Sequence, residues 1–194
     1  PRLMLFMPPR HGKSTLASIA FPAWHLGRNP GHEFISCSYS GSLAMSFSRK
    51  VRQVLREPNY KNVFEKARLD KDSQSVESWQ TTQGGGYVAA GVGGGITGKG
   101  AHVLLIDDPV KNREDAESEN NREATWDWYT STAYTRLSPG GGILVILTRW
   151  HDDDLAGKLL TAGENGADEW EVVKYPAVAE EDEEFRNVGD ALHP

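Results

Sequence analysis

The chain has 194 residues, a formal net charge of −6, 38% hydrophobic and 25% charged residues, and a single cysteine. That is enough for one domain with a real core, or one domain with a small appendage; lone Cys37 excludes an internal disulfide and fits a reducing compartment. No run approaches the length of a membrane span, no secretory leader is expected, and the acidic balance argues against a surface coated with basic charge while allowing a local basic face.

The chain opens at Pro1 without a methionine, and we expect a piece of a longer polypeptide. Leu3 to Met7 is a continuous apolar run bounded by prolines, the pattern of a strand buried on both faces. Helical spacing follows through Leu16, Ile19, Ala20 and Trp24, with Pro22 expected to kink or shorten the helix and Gly27 to end it. Glu33 to Ser40 reads as the second strand. Ser42 to Glu57 reads as an amphipathic helix carrying Leu43, Phe47, Val51 and Leu55 on one side. Residues 73 to 92 suggest short strands or a hairpin, and a glycine-rich stretch runs from Gly84 to Gly100.

His102 to Asp108 is another buried strand, and residues 114–137 read as one long polar helix with an aromatic stripe. Gly142 to Thr148 is the most apolar strand, a short helix is expected near Asp152, and residues 169–178 give a last strand. The remainder, with its acidic run Glu180 to Glu184, reads as an extended linker. Strands alternate with helices and the central strands are uniformly apolar, which predicts an α/β fold with a mostly parallel sheet covered on both faces.

In such sheets ligands sit at the carboxyl ends of strands, and three strands here end in reactive side chains. The first end, Pro9-Arg10-His11-Gly12-Lys13-Ser14-Thr15, carries the second half of the phosphate-loop pattern G-x-x-x-x-G-K-[ST], with Met7 where the first glycine belongs. A loop between a buried strand and a helix start aims backbone N–H groups at a phosphate. Lys13 would reach the β and γ phosphates and Ser14 would bind Mg²⁺; read blandly, the segment is a plain strand-to-helix turn.

The second end is Asp107-Asp108-Pro109 after four apolar residues, the Walker B arrangement. Asp107 would hold Mg²⁺ and Asp108 would polarise the attacking water. Alone, these residues would cap a strand and begin a turn; beside a phosphate loop they read as catalytic. The third end is Thr148-Arg149, where a γ-phosphate sensor would sit. Asp152 to Asp154 read as the N-cap and first turn of the next helix rather than as a metal site.

Together "PPRHGKST", "GITGKGAHVLLIDDPVKN" and "ILTRWHDDDLAGKL" resemble the ATPase domain of the large terminase subunit of tailed bacteriophages and prophages, over nearly the whole chain. The resemblance implies an additional-strand (ASCE) P-loop NTPase that uses ATP and Mg²⁺ in a pentameric ring to drive double-stranded DNA into a procapsid. Portal protein and small terminase subunit would be its partners, in the host bacterial cytoplasm and away from any membrane. It implies Lys13 and Ser14 as the Walker A pair, Asp107 as the magnesium acid, Asp108 as the catalytic carboxylate, Thr148 as part of the coupling motif and Arg10 as a phosphate sensor.

Lys99 stands where relatives tend to carry an arginine, near where a subunit can offer a finger to its neighbour's nucleotide. A solvated lysine in a flexible loop is an equal reading. We assign residues 1–175 to the ATPase core and 176–194 to a linker toward a nuclease domain that this sequence lacks, so DNA cleavage is not expected. Another P-loop translocase or helicase core, and a nucleotide-binding ring module with negligible hydrolysis, remain as alternatives.

DNA-contact residues are not assigned by the sequence. Between Arg49 and Lys71 lie Lys50, Arg52, Arg56, Lys61, Lys66 and Arg68, against Glu57, Glu65 and Asp70. This could be a phosphate-gripping face or an ordinary solvated helix. The aromatic stripe Trp126, Trp128, Tyr129 and Tyr134 reads as core and subunit contact.

Overall fold

Eight strands form one sheet in the order β3-β4-β5-β2-β6-β7-β1-β8, in a computed structural model that describes residues 1–96 and 98–192. The apolar runs supply its centre: β1 (Arg2–Phe6), β2 (Glu33–Ser38), β6 (Ala101–Asp107) and β7 (Leu137–Leu147). β5 (Gly86–Gly91) and β8 (Glu171–Lys174) extend this parallel block on either side. The remaining two strands, β3 (Leu69–Gln74) and β4 (Ser78–Thr81), add antiparallel at the β5 edge.

Parallel strands bury both faces, and alternate residues divide between two cores. Leu104 and Ile106 join one apolar cluster with Val145, Trp128 and Leu159, whereas Val103 and Leu105 join the other with Phe34, Leu26, Val51 and Leu55. The helices covering the first face are α6 (Glu119–Trp128) and α7 (Leu155–Glu164). The second face is covered by α2 (Phe21–Arg28) and α3 (Gly41–Arg56), with α4 (Pro58–Val63) packed against α3. Ser40 caps α3, its Oγ accepting the Leu43 N–H at 3.3 Å.

Several local expectations need correction. Pro22 does not interrupt the helix after β1. The winding opens to a π-helix over Leu16–Ala20, following a single α turn, α1 (Lys13–Thr15), and the Phe21 N–H reaches Leu16 O. Pro22 then falls in the first turn of α2, a position that proline tolerates. Gly27 is likewise inside α2. Its role is close approach: a Cβ there would lie 2.6 Å from the Phe64 ring.

The long helix expected over 114–137 is divided. Ser118 ends α5 (Arg113–Glu117) and caps α6, which passes into a π turn at Tyr129–Ala133. Trp128 and Tyr129 are core, as read from the sequence, while Tyr134 is exposed beneath the Arg2 guanidinium. The helix expected near Asp152 begins at Leu155. Finally, the acidic run is not extended: Val178 and Ala191 form a β-bridge, and Arg186 grips both Glu183 carboxylate oxygens and Pro176 O. Residues 193–194 of that proposed linker lie outside the described residues.

At the amino ends of β2 and β6 three imidazoles meet. His25 Nε2 lies 3.1 Å from His32 Nδ1, His32 stacks on His102, and His102 Nδ1 accepts the Glu33 N–H. Burial, reinforced by His32 and His102, pushes the His25 imidazole down to about 4. His25 therefore stays neutral when folded but protonates near 6.5 when unfolded, so stability falls as pH drops through 6.5 toward 4. We expect the melting temperature to decline from pH 7.5 to pH 5, and His25→Leu to flatten that decline in calorimetric scans.

Candidate nucleotide site

Because β6, β7 and β1 are neighbours in the sheet, the residues that follow them emerge side by side. Lys13 follows β1, Asp107 and Asp108 end β6, and Thr148 follows β7. These ends are tied in register: Phe6 pairs with Leu147, Asp107 pairs with Ile146, and the Asp108 N–H donates to Ile146 O at 2.8 Å.

The loop from Pro8 to Gly12 turns tightly before the helix. Arg10 and Gly12 have φ of 65° and 84°, and Gly12 caps the helix in the left-handed region. Nothing lies within 4 Å of a Cβ at Gly12, so the glycine is required by conformation and not by space. The His11 Nδ1–H donates to Pro9 O at 2.8 Å, which turns that ring away. Pro9, Arg10, Gly12, Lys13, Ser14 and Thr15 line a pocket of about 470 Å³ with Asp108 and Thr148.

Lys13 is buried and its ammonium is the hub of the site. It donates to Asp108 Oδ1 at 2.7 Å and to Thr148 Oγ1 at 2.6 Å. The Thr148 N–H donates to the same Asp108 oxygen at 3.1 Å, and its hydroxyl reaches Met7 O at 3.4 Å. Asp108 adopts φ 45° immediately before Pro109. Left-handed backbone is unusual for Asp, and extended backbone is the norm before proline. Such strain costs about 1–3 kcal/mol and is held only where the surroundings over-determine it.

Asp107 lies behind this hub. One carboxylate oxygen accepts the Ser18 hydroxyl at 2.5 Å; the other, Oδ1, is buried with no partner. Burial raises the Asp107 carboxyl above the usual Asp range; the Ser18 bond opposes this, the Asp108 charge adds to it, and Ser14 and Lys13 oppose it. A buried carboxylate with one oxygen unsatisfied, beside a serine hydroxyl, fits a hard divalent cation. Without one, ionised Asp107 is a liability, so Asp107→Asn should raise the melting temperature of the cation-free chain by roughly 2–4 °C, about 1 kcal/mol. Scanning fluorimetry without magnesium checks this; a lower melting temperature would contradict it.

Arg149 does not enter the pocket. Its Nε donates to Asp154 Oδ2 at 2.7 Å, Nη2 donates to Asp152 O at 3.0 Å, and the guanidinium lies over the Phe6 ring. Asp154 also caps α7, accepting the Gly157 N–H at 2.9 Å, so one of the three acids is the N-cap foreseen in the sequence. Asp152 and Asp153 precede the helix, and Asp153 pairs with Arg122 and Lys158. Among the described residues no three or more His, Cys, Asp and Glu side chains gather as a metal-holding group, which leaves single carboxylates such as Asp107 open to a cation shared with a hydroxyl. Asp154→Ala should cost about 1–3 kcal/mol, through the lost cap and the stranded Arg149, measurable by urea denaturation.

Lys99 is the one proposed site residue that the chain does not bring here. It lies with Glu33, Trp79 and Gly86 near the amino end of β6, and the length of that strand puts it roughly 20 Å from Asp108. Conversely, Tyr39, Val110, Lys111 and Trp150 line the pocket and were not foreseen. Each lies one to four residues beyond a strand end, which is the only sequence signal they carry.

The family model for the terminase large subunit, T4likevirus-type, N-terminal domain matches residues 4–194. The chain belongs to this family. Among solved structures, it resembles the large terminase of bacteriophage HK97 at 15% identity and a TM-score of 0.60, over 94% of this chain and 36% of that one. The large terminase of a thermophilic bacteriophage matches at 10% identity and a TM-score of 0.53, over 90% and 40%; the ADP complex of that terminase matches at 8% and 0.51. These identities establish a shared fold, and this terminase domain spans little more than a third of those proteins. No curated protein matches the chain.

Proposed function

We propose that this terminase domain hydrolyses ATP and, as part of a longer subunit, drives double-stranded DNA into a procapsid. The observation that carries the reading is Lys13 bonded at once to Asp108 and Thr148, in a pocket floored by the phosphate loop. The ADP complex of the thermophilic phage terminase supports a nucleotide as the occupant.

The triphosphate would lie over the N–H groups of Gly12 to Thr15, with Lys13 between the β and γ phosphates and Arg10 at the mouth. Asp107 and Ser14 would hold Mg²⁺, which supplies charge neutralisation across the phosphates. Asp108 would accept the proton of the attacking water once phosphate oxygens take over Lys13, and Thr148 would carry the change into β7. Lys99, remote from its own pocket, could act only on a neighbouring copy in a ring. Residues 1–175 would form the motor core and 176–194 the passage to a nuclease domain. Portal protein and small terminase subunit would be partners in the host cytoplasm; no helix among the described residues is long and apolar enough to cross a membrane.

Magnesium-dependent phosphate release, followed across a protein-concentration series, tests the reading. Turnover should rise faster than linearly with concentration, and Lys13→Ala and Asp108→Asn should each lower it at least 100-fold. Tight ATP binding with no release above the Asp108→Asn background would reassign the domain as a nucleotide-gated assembly module.

A further inference from the structure

The distribution of paired charge is uneven. Every salt bridge among the described residues uses a cation outside residues 49–71: Arg2, Lys13, Arg113, Arg122, Arg149, Lys158 or Arg186. The cations between Arg49 and Lys71 make none, although the chain as a whole is acidic. Where they are bonded, the acceptors are neutral.

The centre of this region is the seam between α3 and β3. Arg52, only 9% exposed, and Arg56 sit one helical turn apart and converge on a single amide oxygen, Gln74 Oε1, at 3.3 and 2.9 Å. Arg52 also donates to Ser75 O at 3.4 Å, while its Nε is buried with no partner. Two neighbouring guanidinium groups thus share one uncharged acceptor, where a buried cation ordinarily has a carboxylate. Burial and the charge of Arg56 both act to lower the Arg52 pKa. Around the seam, Arg49, Lys50, Lys61 and Lys71 are exposed.

An ordinary solvated helix face would intersperse acids at i, i+4 spacing to balance its cations. On α3, Arg49, Gln53 and Arg56 form the exposed row, with Lys50 beside it and no acid until Glu57 ends the helix. Arg49 to Arg56 spans about 10 Å of helix axis, the rise of about three base pairs of duplex.

We propose that the α3–β3 seam grips the phosphate backbone of duplex DNA, with Arg52 and Arg56 at its centre and Arg49, Lys50 and Lys71 flanking them. This assignment rests on the reading of the domain as a DNA motor and locates its track-binding face. The face carries charge and donors but no exposed aromatic residue suited to stacking on bases, so it binds without regard to sequence. It lies at the β3 edge of the sheet, opposite the β8 edge, so it can hold DNA while the phosphate loop stays open to nucleotide.

Binding of a short fluorescent DNA duplex, measured over roughly 50–200 mM salt, tests the assignment in the 194-residue chain. Arg49→Gln/Lys50→Gln/Lys71→Gln alters only exposed side chains; it should weaken binding at least tenfold near 0.1 M salt and make the log–log salt slope shallower by about 0.9 for each phosphate no longer neutralised. Lys174→Gln, equally exposed and on β8 at the opposite edge of the sheet from β3, should leave binding unchanged, and unlabelled duplexes of unrelated sequence should compete equally. ATP turnover without DNA should be the same in all three proteins. Unchanged affinity in the triple variant, or an equal loss in the control, overturns the proposal; the first result would point to an acidic protein partner or to no partner. If the wild type hydrolyses ATP but binds no duplex, the surface assignment fails and the ATPase reading stands. Duplex binding that is lost in the triple variant, from a chain with no turnover, supports the surface and sinks the ATPase.

Discussion

A single ammonium group holds the site together. Lys13 is buried, and it is stable there because the ends of two other strands supply an anionic and a neutral oxygen at hydrogen-bond distance. Remove either oxygen and a desolvated charge is left under-compensated. Remove the ammonium and the strained Asp108 backbone loses one of the contacts that fix it. The phosphate loop, Walker B strand and β7 are thus mutually dependent, and the sheet order places them where that dependence can arise.

The same arrangement shows how an incomplete phosphate-loop pattern still folds into a tight strand-to-helix loop. Met7 occupies the place of the first glycine, yet Met7 O receives the Thr148 hydroxyl and so anchors β7 to the loop. Sharp turning is supplied instead by left-handed backbone at Arg10 and Gly12. The donors that matter for an anion are N–H groups on the helix side of the loop, which the two prolines do not touch.

Much of this was legible in the sequence. Uniform apolar runs marked β1, β2, β6 and β7, because strands covered on both faces must be apolar at consecutive positions. The reactive strand ends marked Lys13, Asp107, Asp108 and Thr148. Less legible were features that depend on which segments meet. Pro22 read as a kink or a shortening because a π turn upstream cannot be seen in residue spacing. Gly27 read as a stop because Phe64, far along the chain, supplies its reason. Lys99 read as a residue offered to a neighbour's nucleotide or as a solvated loop lysine, and its place near the amino end of β6, away from its own pocket, is compatible with either. The acidic tail read as extended because Arg186 was not credited with holding it folded.

Asp108 has a further consequence for how such a domain can change over generations. Its left-handed conformation before proline is one that glycine would adopt at far lower cost, but glycine would also delete the carboxylate that holds the buried Lys13 ammonium and the Thr148 N–H. Stranding that charge costs more than the relaxed backbone returns, so backbone comfort and charge balance pull in opposite directions at one position. A lineage under thermal selection would have to find its added stability in the two apolar cores or in the surface ion pairs, leaving residue 108 as uncomfortable as it is.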